Sequence, residues 1–88
     1  MSITFTATQG QYLAFIHAYT TLHRRPPAES DFQEFFRVTP PTVHRMIVTL
    51  HDRGLIDRVA GQPRSIRLLV APDLLPPLQS IKIPATGY

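Results

Sequence analysis

Eighty-eight residues, 43% of them hydrophobic and 17% charged, have room for one small folded domain and not for two. The absence of Cys excludes disulfides, thiolate metal sites and cysteine nucleophiles. No stretch approaches the ~18 apolar residues of a membrane span, and Met1 to Gln11 lacks the basic start and apolar run of a secretion signal, so a soluble cytoplasmic protein is expected.

The charge is unevenly spread. The formal net charge is +3 and eight of the nine basic residues are Arg, the side chain whose planar fork suits phosphates and guanine edges. Ala28 to Phe36 holds Glu29, Asp31 and Glu34 without a base, whereas Arg37 to Arg67 holds six Arg against Asp52 and Asp57, a net charge of +4. Such a block points to an anionic partner, nucleic acid before membrane, since no basic amphipathic surface helix accompanies it. A high Arg:Lys ratio can also reflect genomic base composition.

Taken in chain order, Thr6 and Gln9 have the spacing of a capping box, so a first helix is expected from Ala7. Tyr12, Phe15, Ile16, Tyr19 and Leu22 recur at helical spacing, which carries it to about His23. The Pro26-Pro27 pair breaks the chain, and Glu29 and Asp31 then mark the first turn of a second helix, where the macrodipole favours acids. Phe32, Phe35 and Phe36 form its apolar stripe and are expected in the core. Arg37-Val38-Thr39 reads as a tight turn, with Thr39 as N-cap and Pro40-Pro41 in the first turn of a third helix spanning 40–53. Gly54 ends it in the left-handed conformation. From Leu55 the period changes: Leu55 to Val59 and Ile66 to Val70 read as strands of a β-hairpin, joined by the turn-forming residues 60–65. Residues 71–88 form a Pro-rich but apolar tail carrying Leu74, Leu75, Leu78, Ile81 and Ile83, expected to dock on the body or to supply dimer contacts.

Three helices followed by a hairpin predict a mainly α fold with a small β-hairpin, a winged helix-turn-helix over 1–70 with the wing at 55–70. The span Phe5 to Leu69 resembles the N-terminal DNA-binding domain of the LexA repressors. The resemblance rests on Phe5-Thr6-Ala7-Thr8-Gln9, Pro26-Pro27, Gly54-Leu55-Ile56-Asp57 and Arg64-Ser65-Ile66-Arg67-Leu68-Leu69. Val38 to Arg45 with Leu50 is equally similar to the wider class of bacterial winged-helix regulators, such as the MarR-like proteins. Three departures stand out. Arg37 holds the turn position where such proteins usually carry Gly, Gln33 stands where a small residue is preferred, and Ala28 replaces a capping Thr. The resemblance implies a bacterial or phage-type transcriptional regulator, a repressor, that binds double-stranded DNA in the cytoplasm at the nucleoid; a single module of this size reads few base pairs, so a homodimer is expected. LexA-like repressors continue into a Ser/Lys self-cleaving domain; this sequence stops at Tyr88, and Ser80 and Lys82 stand in no catalytic relation, so no autoproteolysis is expected.

On a helical wheel of the third helix, Val43, Met46, Ile47 and Leu50 share one arc, and Pro41, His44, Arg45, Val48 and Thr49 fall on or near the other. The N-terminal part of a recognition helix enters the major groove, which nominates Thr39, Pro41, Thr42, His44, Arg45 and Thr49 as the DNA-facing residues. Arg45 is the first choice for a bidentate contact with guanine. Thr39 can instead serve only as a cap, and His44 only as a solvated polar side chain. On the wing, Arg58, Arg64 and Arg67 are placed toward phosphates or the minor groove, with pairing of Arg58 and Arg67 to Asp57 as the alternative. His17, His23, His44 and His51 lack metal-ligand grouping, no Gly-rich phosphate loop or catalytic acid pair occurs, and neither an enzyme nor a cofactor is expected. The competing functions are a winged-helix protein–protein interaction module and a nonspecific architectural DNA binder.

Overall fold

The structure, a computed structural model, describes residues 4–79. Three α-helices, α1 (Ala7–His23), α2 (Glu29–Phe36) and α3 (Pro40–Asp52), precede a two-stranded antiparallel hairpin of β1 (Ile56–Asp57) and β2 (Arg67–Leu68), and a short 3-10 turn follows at Pro72–Leu74. This is the winged helix-turn-helix expected from the pattern.

The expected capping box starts α1: Gln9 N–H donates to Thr6 Oγ1 at 3.1 Å, and Thr6 N–H to Gln9 Oε1 at 3.0 Å. Arg24 ends the helix in the left-handed region at φ 62°, with its N–H bonded to the Thr20 carbonyl. At the start of α2, Ala28 has no side-chain acceptor, and Asp31 compensates by accepting the Ala28 N–H at 2.8 Å. The helix stops at Arg37, which takes φ 57° in the turn where glycine would be unstrained. Thr39 occupies the N-cap position of α3, yet its hydroxyl does not cap: it lies 2.9 Å from Thr42 Oγ1. Pro40 has no N–H to satisfy at that end, which removes much of the need for a cap. The helix closes at Asp52, one residue earlier than expected, and Gly54 turns the chain with φ 74°.

The core is built where the three helices and the wing meet. Leu13, Phe32, Val43, Ile47 and Leu50 are fully buried, with Tyr12, Phe15, Ile16, Leu55, Ile56, Ile66 and Val70 around them. Tyr12 stacks on Phe36 with centroids 4.5 Å apart and on Phe32 at 5.4 Å, while Phe15 meets Phe32 at 4.9 Å. Phe35, Phe36 and Met46 are half-buried against this cluster rather than inside it. Leu22 departs from its expected place in the α1 stripe and is 76% exposed. The reason is length: the buried residues of α1 all lie between Gln9 and Ile16, and its last turns run past the layer that covers them.

The expected five-residue strands shrink to two residues each, paired Ile56 with Leu68 and Asp57 with Arg67. Toward the tip, side-chain bonds replace the ladder. Ser65 Oγ accepts from Val59 N–H at 2.8 Å and reaches the Val59 and Gln62 carbonyls, closing the tip without further strand pairing. The described part of the tail docks in cis. Leu75 and Leu78 pack on the core, and the Gln11 amide donates to the Pro77 carbonyl at 3.0 Å while accepting the Gln79 N–H at 2.8 Å. Gly10 leaves room for this contact: a Cβ there would lie 3.1 Å from both the Phe5 ring and Pro76 Cγ. The readings placed on Ser80, Ile81, Lys82 and Ile83 lie outside the described residues.

Candidate nucleic-acid interface

Burial of Val43, Ile47 and Leu50 against the core fixes which side of α3 faces out. That side carries Pro41, Thr42, His44, Arg45 and Thr49, all exposed, with Thr39 exposed at its start. Four of the polar groups are already oriented by neighbours. The Thr39 and Thr42 hydroxyls share one hydrogen bond, Thr49 Oγ1 donates to the Arg45 carbonyl at 2.9 Å, and His44 Nδ1 lies 3.1 Å from Glu29 Oε2 on α2. Among the described residues the Arg45 guanidinium has no hydrogen-bond or ion-pair partner, so its donors are available to an outside acceptor.

The wing divides the three Arg expected there. Arg67 is exposed and sits 3.5 Å from Asp57 across the strand pair, a solvated ion pair of small energetic weight. Arg58 is half-buried, its backbone N–H bonded to Asp57 Oδ1 and its Nε buried with no partner. Arg64 turns back onto the body instead of projecting from the tip. Its Nη1 donates to the Tyr19 hydroxyl at 3.2 Å, the Pro26 carbonyl at 3.0 Å and Asp31 Oδ2 at 3.1 Å. Accepting that bond, the Tyr19 hydroxyl is the main cause that keeps the Arg64 guanidinium protonated above even its ordinary high range, with Asp31 adding to it. Arg64 therefore staples the wing to α1 and α2.

These placements enclose a groove of about 400 Å³ between the start of α2, α3 and the wing, lined by Glu29, Ser30, His44, Arg58, Gln62 and Ser65 among others. Glu29 and Asp31 are the residues that sequence reasoning left out of the site, having explained them as a helix-start face. No spacing rule signals the Glu29 contact with His44, 15 residues away, because it arises only from the crossing of α2 over α3. Among the described residues no group of three His, Asp or Glu could hold a metal ion, and no helix is long and apolar enough to cross a membrane.

No family model matches the chain. Sixty-three residues, 72% of the chain, are 33% identical to the LexA repressor of Thermotoga neapolitana, covering 32% of that protein. Over the same extent the chain is 30% identical to the LexA repressors of Thermotoga maritima and Thermotoga petrophila, again covering 32% of each. The chain thus spans about a third of the length of the curated relatives it matches.

Proposed function

We infer, from the premise that this chain is a LexA-repressor-like winged helix-turn-helix, that it is a transcriptional regulator, a repressor, that reads double-stranded DNA with α3 in the major groove. The observation that carries this reading is the unpartnered Arg45 guanidinium on an exposed face with Thr42, His44 and Thr49. Arg45 takes a guanine edge, Thr39, Thr42 and Thr49 take flanking phosphates and bases, and Arg58 and Arg67 approach the backbone from the wing. Arg64 serves the interface by holding the wing in place. A module this small reads few base pairs and binds tightly as a homodimer on a two-fold or repeated site.

The test is fluorescence-anisotropy binding to duplexes selected from a random pool and to the unselected pool, across a salt series, with the Arg45→Ala variant alongside. Preference for selected sites that Arg45→Ala removes supports the reading. Equal affinity for both pools replaces it with architectural binding. No binding at low salt by a dimeric protein replaces it with a protein-interaction module, a reading favoured by the exposed apolar groove of Tyr19, Leu22, Phe35 and Leu78.

A further inference from the structure

The bond between Glu29 and His44 is the one side-chain hydrogen bond that joins α2 to α3 among the described residues, and it has a chemical consequence. An ionised carboxylate only accepts, so the ring nitrogen 3.1 Å from Glu29 Oε2, His44 Nδ1, must carry its hydrogen. In the neutral ring the opposite nitrogen, Nε2, is then a bare acceptor. The His44 side chain is 58% exposed and its Nε2 has no partner among the described residues. The charged groups that line the groove with the ring are Glu29 from α2 and Arg58 from the wing, and Glu29 is the only acid among them. A Glu29 carboxylate placed on the far nitrogen thus determines what the near one can offer.

We propose that Glu29 is a positioning residue for base recognition: it holds His44 as the Nδ1-protonated tautomer, so that Nε2 accepts a hydrogen bond from an exocyclic amino group, cytosine N4 or adenine N6, in the major groove. Guanine and thymine present only acceptors at the corresponding points and are rejected. The inference rests on the DNA-reading role of α3 proposed above, and it assigns the base class to one side chain.

Two measurements test it. Nitrogen NMR of the His44 ring in the free protein at pH 8 reads the tautomer without DNA, and selection from randomised duplexes at the same pH reads the base preference of wild type, Glu29→Gln and His44→Ala. The expected results are an unprotonated Nε2 at pH 8 and one operator position enriched on the order of tenfold in cytosine or adenine. Glu29→Gln, whose amide can turn either its oxygen or its nitrogen to Nδ1, weakens the preference at that position alone, and His44→Ala abolishes it. An Nε2-protonated neutral ring, a preference that Glu29→Gln leaves unchanged, or one that survives His44→Ala overturns the inference. If DNA is bound selectively but without regard to His44, only this inference falls; if no variant binds any duplex, the DNA-reading role falls and takes the base preference with it.

Discussion

Arg64 of the wing donates to the Asp31 carboxylate of α2 at 3.1 Å, joining residues 33 apart in the chain. The same carboxylate accepts the Ala28 N–H that Ala28 itself cannot help to cap, so one acid both starts α2 and fastens the wing. The wing's position relative to α3 therefore depends on a side chain in neither element.

Asp31→Ala should lower stability by about 1 kcal/mol, the typical value of a helix-start interaction. Both Asp31→Ala and Arg64→Ala should speed amide exchange at Val59 and Gln62, whose N–H groups are bonded only within the wing. Denaturant unfolding and hydrogen exchange check the two effects separately. Unchanged exchange in both variants would show that the wing is held without the staple.

Arg37→Gly should raise stability by roughly 0.5–1 kcal/mol. A residue with a Cβ is strained at φ 57°, and glycine is not. The relief outweighs the added freedom of glycine in the unfolded chain, which opposes it. A rise in the urea midpoint at constant slope is the expected signature.

Gly10→Val should cost about 1–3 kcal/mol, because the new side chain must displace the Phe5 ring or Pro76, each 3.1 Å from the first added carbon. Gln11→Ala should cost about 1 kcal/mol, removing both bonds to the tail. In each variant the Gln79 amide should lose protection from exchange before the core does. Equal loss throughout would mean that the tail and the core unfold as one unit.

Tyr12 couples stability to alkaline pH. It is 3% exposed, and burial holds its phenol above the ordinary tyrosine range. A group raised in the folded state contributes stability that is present below its unfolded pKa, about 10, and is lost as pH rises toward the folded value. Urea midpoints should therefore hold up to about pH 9.5 and fall above about pH 10, and Tyr12→Phe should flatten that decline.

On the wing, Arg58→Ala and Arg67→Ala should each reduce the magnitude of the logarithmic salt slope of DNA binding by about 0.9, one phosphate apiece. Arg64→Ala should weaken binding with a smaller change of slope, since its guanidinium is occupied by Tyr19, Pro26 and Asp31. A full unit of slope lost on removing Arg64 would make it a phosphate contact after all.

The sequence by itself determined the order and type of the elements. The Thr6 and Gln9 capping pair, the proline breaks, the 3.6-residue stripe of Val43, Ile47 and Leu50, and Gly54 are local signals, each acting within a turn or two of chain, and local energetics suffice to read them. The exposed face of α3 followed from that stripe, because a helix that buries one side must present the other. Only the tertiary structure decided what each polar group meets. Arg64 looked free at a hairpin tip and is held by three acceptors; Glu29 looked like a helix-start charge and orients His44; Leu22 continued an apolar stripe past the layer that could cover it. These are contacts between residues 15 to 45 positions apart, set by how helices cross and where a hairpin folds back, and periodicity carries no information about such distances.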